Sequence, residues 1–231
     1  MKVYQQHRWD LSYSEATSVQ QDLRRLVQSR PIALKRIRTI AGADVAISRS
    51  KTHLVSAVVV FEFPSMAIIE TQTALTPLTF PYIPGLLSFR EIPALVECLG
   101  KVAASVDVVI CDGHGIAHPR GVGLASHLGL LIRRPTIGCA KGLLVGEFGY
   151  LGQKKGSYAP LLYNGKRVGS VVRTRDATRP VFVSPGHLAD QAGSRRLVLS
   201  CTTRFRLPEP TRRADRLAGD EKRRIGSAGV W

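Results

Sequence analysis

The hydrophobic positions in the first third of the chain follow a helical period and then an extended one. Residues 12–30 carry apolar side chains at the spacing of one helix face, and Ser12 and Glu15 have the spacing of a capping box. Three β-rich runs follow in close succession, at residues 39–47, 54–63 and 66–73. Pro64-Ser65 between the last two runs suits a hairpin, so we expect an antiparallel meander of three strands.

The middle of the chain alternates between helical and extended patterns. Helices are predicted over 90–105 and 121–132, and strands over 106–111 and 135–139. The run 106–111 is almost entirely Val and Ile without alternation, as expected of a strand buried on both faces. Strands separated by helices are joined by right-handed crossovers, so these strands should be parallel. Later elements are expected as strands at 158–163, 168–174 and 180–183, a helix opening at 184–188, and a short helix over 209–217.

Three antiparallel strands followed by parallel strands and helices indicate an α/β fold with a mixed central sheet flanked by helices. This strand order is that of the ribonuclease H-like fold. The length of 231 residues suits one domain, which we place at residues 1–217. Residues 218–231 are expected to form a basic, frayed and flexible tail.

The charge of the chain is strongly positive and unevenly distributed. Lys and Arg number 33 against 17 Asp and Glu, giving a net charge of +16. Counted along the sequence, 41–150 holds 8 basic and 8 acidic residues, whereas 151–206 holds 11 basic and 2 acidic ones. Acids in the middle flanked by bases favour a polyanionic partner such as a nucleic acid, whose binding should weaken steeply with salt. Arginine enrichment for solubility alone is the alternative.

The remaining composition points to a cytoplasmic protein that binds no membrane. The longest apolar run, near residues 54–61, is far shorter than the roughly 20 residues that span a bilayer, and the first ten residues lack a signal-peptide core. The four cysteines form no C-x-x-C pair, so they are expected to be reduced and buried; these are Cys98, Cys111, Cys139 and Cys201.

Three carboxylates stand out by their settings. Asp44 lies within an apolar strand, where a lone charge is costly to bury. Asp112 ends the apolar strand 106–111, at the edge where α/β sheets assemble their sites. Glu91 opens a predicted helix after a Pro-Gly loop. Oxygen ligands of this kind suit a hard divalent cation that polarises a phosphate and activates water.

Each of these carboxylates also has a structural interpretation. Asp44 could pair with an arginine inside the fold, Asp112 could cap a loop, and Glu91 could be an acid favoured by the helix dipole. Lys141 follows a short apolar strand and could neutralise charge on a phosphate, or it could be a solvated surface lysine.

The loop Pro81-Tyr82-Ile83-Pro84-Gly85 presents an aromatic and an aliphatic side chain between two prolines. Such rigid apolar tips can wedge between stacked bases, although a packing turn is the alternative. His118 could contact a base edge or a phosphate, or act as a structural hydrogen-bond donor.

The sequence resembles the endonuclease V family, the deoxyinosine 3′ endonucleases, over roughly residues 4–217. The motifs that carry the resemblance are His7-Arg-Trp-Asp10, Ala41-Gly-Ala-Asp44, Phe80-Pro-Tyr-Ile-Pro-Gly-Leu-Leu-Ser-Phe-Arg-Glu91, Asp112-Gly-His-Gly-Ile-Ala-His-Pro-Arg120, Ala125-Ser-His-Leu-Gly129, Pro135-Thr-Ile-Gly138 with Ala140-Lys141, Val183-Ser-Pro-Gly-His187 and Leu207-Pro-Glu-Pro-Thr-Arg212. The segment from Phe80 to Glu91 is the most specific of these.

The resemblance implies a ribonuclease H-like fold and an Mg²⁺-dependent nuclease, with Mn²⁺ as a substitute. The metal carboxylates would be Asp44, Glu91 and Asp112. Lys141 and Asp215 would complete the catalytic set, although the family carries either His or Asp at the latter position. Tyr82 would be the wedge, flanked by Pro81, Ile83 and Pro84. The implied pocket for the flipped base comprises Leu87, Gly113, His118 and Gly138.

By resemblance, the enzyme hydrolyses the second phosphodiester bond 3′ to deoxyinosine in DNA and initiates repair. A nuclease acting mainly on inosine-containing RNA is the alternative, and the sequence does not decide between them. A non-catalytic nucleic-acid-binding module would be expected to have lost a carboxylate, and none is lost here. We expect a monomer.

Overall fold

The computed structural model describes residues 1–227, which form one mixed sheet with helices on both faces. The helices over this range are α1 (Tyr13–Leu26), α2 (Leu87–Gly100), α3 (Leu124–Ile132), α4 (Gln191–Ser200) and α5 (Glu209–Ser227). The strands are β1 (Thr39–Ile47), β2 (His53–Glu62), β3 (Ile68–Pro77), β4 (Val108–Cys111), β5 (Thr136–Ala140), β6 (Tyr158–Tyr163), β7 (Lys166–Val172) and β8 (Val181–Pro185). No helix in this range is long and apolar enough to cross a membrane.

The sheet confirms the predicted α/β class with its antiparallel and parallel parts. The strand order is β3-β2-β1-β4-β5-β8-β7-β6. β1, β2 and β3 form the antiparallel meander, whereas β1, β4 and β5 are parallel neighbours. The carboxyl ends of β1 and β4 therefore lie side by side at one edge of the sheet.

The two faces of β1 are covered by different helices, because successive side chains of a strand point to opposite faces. Ala41 and Ala43 lie in the main core with α2 and α3. Gly42, on the other face, lies against the start of α5, where a Cβ would come 2.0 Å from the carbonyl oxygen of Pro210. Only glycine allows this approach, which brings α5 alongside β1.

The terminal helix is longer than the short helix predicted over residues 209–217. Residues up to Ser227 continue it, including Gly219, because Ala214, Ala218 and Ile225 are buried on one face. The solvent face carries ion pairs at helical spacing. Residues 218–227 of the predicted frayed tail are thus helical, and residues 228–231 lie outside the described part of the chain.

Other element boundaries also differ from the sequence prediction. Ser184 and Pro185 belong to β8, where they pair with β5, so no helix opens at 184–188. The helix begins at Gln191, where the Asp190 side chain accepts a hydrogen bond from the amide of Gly193. Likewise α2 begins at Leu87 rather than at residue 90. All four cysteines are free and buried, as expected.

Candidate active site

Two aspartates lie next to each other where β1 and β4 run in parallel. In the ladder between these strands, Ala43 pairs with Cys111, so Asp44 and Asp112 are the next residues on each strand. Desolvation raises the pKa of Asp44, and the nearby carboxylate of Asp112 raises it further. Burial also raises the pKa of Asp112, opposed by its contact with a lysine. Two half-buried carboxylates of like charge favour the binding of a cation.

Glu91 lies near Asp112 but belongs to α2, a helix that packs on one face of the sheet. It lies in the second turn of α2, and burial followed by repulsion from Asp112 raises its pKa to about 8. No acidic residue lies in the first turn of α2, which is where a helix-dipole role would place one. The carboxyl group of Glu91 therefore interacts with the Asp112 charge, and Asp112 is the residue common to both pairs.

Lys141 supplies positive charge to this cluster. It follows β5, and its Nζ lies 2.5 Å from Oδ2 of Asp112 and 3.6 Å from Oδ1 of Asp215. Burial disfavours the ammonium form, but the hydrogen bond to Asp112 and the surrounding carboxylates outweigh it and raise the pKa of Lys141. The guanidinium of Arg206 donates to the Lys141 carbonyl at 2.8 Å and helps to fix the lysine.

The carboxylates are not arranged around a common point as a complete set of metal ligands would be. Across residues 1–227, no group of three or more His, Cys, Asp or Glu side chains is disposed to hold one metal ion. The cation contacting Asp112 is the ammonium of Lys141. No arginine forms an ion pair with Asp44 in the described chain, which removes the structural interpretation proposed for that residue.

The loop predicted to act as a wedge projects its aromatic side chain into solvent. Tyr82 is 67% exposed, and the guanidinium of Arg90 lies 5.9 Å from its ring centroid. Pro81 and Pro84 are also exposed. Ile83 instead packs on an apolar cluster that includes Phe80, Leu86 and Phe89. The base of the loop is anchored while Tyr82 remains available.

A single carbonyl at the end of this loop accepts three hydrogen bonds. Nε2 of Gln20, Nε2 of His118 and Nη2 of Arg120 lie 3.0, 2.9 and 2.8 Å from the Gly85 oxygen. Nε of Arg120 also donates to the amide oxygen of Gln20. The sequence predicts no role for Gln20 or Arg120; Arg120 ends the motif that begins at Asp112, but nothing in the sequence distinguishes Gln20.

His118 is committed to backbone groups on both sides of its ring. Because Nε2 donates to the Gly85 carbonyl, Nδ1 of the neutral ring accepts, and it receives the Arg120 amide at 3.2 Å. Burial lowers the pKa of His118 to about 4. Hydrogen bonding of His118 to a base edge would break one of these bonds, and its place in a base pocket stays a prediction.

The other residues predicted for the base pocket lie at the start of α2, on β5 and in the segment that follows Asp112. Leu87 is the half-buried first residue of α2. Gly138 on β5 lies beneath the segment that follows Asp112, where a Cβ would come 2.5 Å from the amide nitrogen of Gly115 and 2.6 Å from the carbonyl oxygen of Gly113. Glycine at 138 lets this segment lie against the sheet.

Comparison with known proteins agrees with these features. The family model for endonuclease V matches residues 21–216. The endonuclease V of Nostoc sp. (strain PCC 7120) is 46% identical over 220 residues, which cover 95% of this chain and 100% of the relative.

Solved structures with the same description are similar over nearly the whole chain. The endonuclease V from Streptomyces avermitilis superimposes with a TM-score of 0.90 at 37% identity, covering 98% of this chain and 100% of that one. The Ciona intestinalis endonuclease V, solved with a DNA that contains an inosine followed by a ribo-adenosine, gives a TM-score of 0.82 at 27% identity, covering 92% and 98%.

Proposed function

The chain belongs to the endonuclease V family of nucleases, and we propose that it is an Mg²⁺-dependent endonuclease that cuts DNA near deoxyinosine. The observation that carries the proposal is the group of half-buried carboxylates around Asp112, with the ammonium of Lys141 in contact. Asp44 and Glu91 each lie near the charge of Asp112, and like charges partly removed from water favour the binding of a cation.

The donor atoms are of the chemical type that a hard divalent cation binds, although the side chains of residues 1–227 are not disposed around one ion. Asp44, Glu91 and Asp112 offer only oxygen atoms, the ligands that Mg²⁺ and Mn²⁺ accept. Desolvation raises the pKa of all three carboxyl groups, and the charge of Asp112 adds to it for Asp44 and Glu91, so a bound cation would stabilise their ionised forms. When bound, the ion would supply positive charge to the phosphate and make a nearby water more acidic.

The chain's own residues would position the substrate around this centre. The ammonium of Lys141 would stabilise the negative charge that develops on the phosphate, and it is itself held by Asp112 and Asp215. Asp215 would orient this lysine or a water. Cleavage of the bond between phosphorus and the 3′ oxygen would leave a 3′-hydroxyl and a 5′-phosphate.

Recognition of the damaged base would depend on the loop that ends at Gly85. Tyr82, exposed at the tip, would fill the gap left by an extruded inosine, while the three donors to the Gly85 carbonyl keep the loop in place. The cut would fall at the second phosphodiester bond 3′ to the lesion. The Ciona relative, solved with inosine-containing DNA, supports this choice of substrate.

A cleavage assay on matched DNA and RNA strands tests the proposal. Each strand carries one inosine, and an adenine strand of the same sequence is the control. We expect cleavage of the inosine DNA with Mg²⁺ or Mn²⁺, none with EDTA, and a product ending one nucleotide beyond the lesion. Faster cleavage of the RNA strand would instead support the ribonuclease alternative, and equal cleavage of inosine and adenine strands would contradict lesion recognition.

A further inference from the structure

A basic cavity lies at the carboxyl-terminal end of α5, away from the carboxylates of the candidate active site. A cavity of about 660 Å³ separates the turn between β1 and β2 from the last turns of this helix. Its lining residues are Arg49, Ser50, Lys222, Arg223, Gly226 and Ser227. None of them belongs to the catalytic or base-recognition residues described above.

Two of the three cations in this cavity have no acidic partner in the part of the chain that the structure describes. Arg223 forms an ion pair with Asp220. Arg49 and Lys222 form no ion pair with a carboxylate among residues 1–227, and Lys222 is half-buried. An open cavity with uncompensated positive charge attracts an anion.

The turn that carries Arg49 is held by its own side chains. The hydroxyl oxygen of Ser48 accepts hydrogen bonds from the amides of Thr52 and His53, at 3.1 and 3.0 Å. The hydroxyl groups of Ser50 and Thr52 lie 2.6 Å apart. Arg49 is therefore presented from a defined turn, which reduces the entropy lost when a ligand binds.

The cavity lies along the same two elements that carry catalytic residues. Gly42 of β1 meets Pro210 of α5, so the helix starts beside the strand and runs with it toward the cavity. Arg49 lies two residues beyond the end of β1, and the three strand residues that follow Asp44 span about 10 Å. Lys222 follows Asp215 by seven residues, about 10 Å of helix.

These distances match the spacing of phosphates on a nucleic acid. Phosphates of one strand recur about every 3.4 Å along a duplex axis, so about 10 Å corresponds to roughly three nucleotides. A strand whose scissile phosphate lies at Asp112 would therefore carry a later phosphate near the cavity.

The position of the wedge loop indicates on which side of the scissile bond the cavity lies. Gly85 is bonded by α1 and by the segment after β4, on the face of β1 opposite α5. We propose that Arg49 and Lys222 bind a backbone phosphate of the cleaved strand on the 3′ side of the scissile bond. The inference rests on the proposed function, in which the lesion is held at the wedge loop and the cut lies 3′ to it.

Arm-length kinetics test this site. The protein and the variants R49Q, K222Q and R49Q/K222Q act on inosine DNA strands with two or ten nucleotides beyond the cut, all with the same long 5′ arm. We expect the double variant to raise KM about tenfold on the long 3′ arm and leave it unchanged on the short one, because only the long arm reaches the cavity. The kcat should not change.

The matched control is K35Q/R36Q, which removes the same two charge types from exposed positions before β1, at the opposite end of that strand from Arg49. It should behave as the unaltered protein. Anisotropy binding of the same strands, measured over a salt series, should show a slope reduced by about one to two for R49Q/K222Q.

The outcomes separate this site from the proposed function. An equal KM increase on long and short 3′ arms, or one that follows the length of the 5′ arm, would overturn the phosphate site while cleavage itself supports the function. If the unaltered protein cleaves no inosine strand, the proposed function fails, and the binding data still decide whether the cavity contacts a strand's 3′ arm.

Discussion

The ammonium nitrogen of Lys141 lies 2.5 Å from a carboxylate oxygen of Asp112, and both residues follow the ends of neighbouring parallel strands. Asp112 is also the carboxylate that interacts with Asp44 and Glu91. The Asp112 carboxylate thus contacts the lysine and would also bind the proposed metal ion. Substitution of Lys141 and substitution of a carboxylate should therefore affect cleavage and metal binding differently.

Removing the lysine should impair cleavage but not metal binding. For Lys141→Met we expect cleavage to fall about a hundredfold or more, because one stabilising charge near the phosphate is lost. Mn²⁺ affinity, measured by calorimetry, should be retained or increased, since the ammonium no longer competes for Asp112. Lys154→Gln, at an exposed lysine, is the control. Loss of Mn²⁺ binding in Lys141→Met would contradict this division of roles.

Removing a carboxylate should impair both properties. Asp112→Asn and Glu91→Gln keep the side-chain volume, so we expect the fold to persist while cleavage falls about a thousandfold and Mn²⁺ affinity drops. Binding of inosine DNA in EDTA should remain within a few-fold. Glu97→Gln, at an exposed acid of the same helix that pairs with Lys101, should leave all three measurements unchanged. Near-normal cleavage by Asp112→Asn would refute the site.

The wedge residue should affect lesion discrimination rather than affinity for DNA in general. Tyr82→Ala should weaken binding at inosine about tenfold more than binding to the undamaged strand, because base–aromatic stacking contributes about 1–3 kcal/mol. Tyr82→Phe, which keeps the ring, should rescue it. Tyr13→Ala removes another exposed tyrosine and serves as the control. Equal loss on both strands would identify Tyr82 as a packing residue.

Gln20 should act on the same discrimination from a distance. It is buried and bonds the Gly85 carbonyl, the Val122 carbonyl and Arg120. Gln20→Leu fills the space but removes these bonds, so we expect a loss of about 1–3 kcal/mol in the free energy of unfolding and a reduced preference for inosine. If stability falls while the preference stays unchanged, Gln20 supports the fold without positioning the loop.

A chain of neutral histidines links the amino-terminal segment to α2. Nδ1–H of His7 donates to the Arg8 carbonyl at 2.6 Å, so Nε2 of His7 accepts from Nε2–H of His127 at 2.7 Å. Nδ1 of His127 then accepts from the hydroxyl of Ser88 at 3.1 Å. Burial lowers the pKa of both histidines, and for His127 repulsion from His7 adds to it. In this hydrogen-bonded series every ring nitrogen of His7 and His127 already donates or accepts, so a further proton would break one of the bonds.

These hydrogen-bonded histidines should make a pH-dependent contribution to stability. Below about pH 6.5 the unfolded chain binds protons that the folded histidines refuse, so their contribution is full at pH 7.5 and is lost as the pH falls. The half-buried carboxyl groups of Asp44 and Glu91 have raised pKa values and act in the opposite direction, so the test compares the unaltered protein with a histidine variant.

We therefore expect the stability advantage of the unaltered protein over His127→Asn to shrink between pH 7.5 and 5.5. The decrease should approach about 1.4 kcal/mol per pH unit below pH 6.5, since the carboxylates contribute equally to both proteins and cancel. Urea unfolding at several pH values measures it. An advantage that stays constant with pH would show that His127 carries no such linkage.

The sequence by itself determined the type of fold and the identity of the candidate metal ligands. Period-two and helical patterns are local, so the meander, the parallel strands and the carboxylate at the end of β4 could be predicted from neighbouring residues. Glu91 required the resemblance, because its local setting is also that of an ordinary acid near a helix start.

Tertiary structure alone decided the contacts between residues distant in sequence. The three donors to the Gly85 carbonyl come from positions 65, 33 and 35 residues away, and no periodicity predicts that they converge. The full length of α5 depends on burial against β1 and β2, which overrides the weak propensity of Gly219. The same packing sets Arg49 beside Lys222 at one cavity, where two residues far apart in the chain form one basic site.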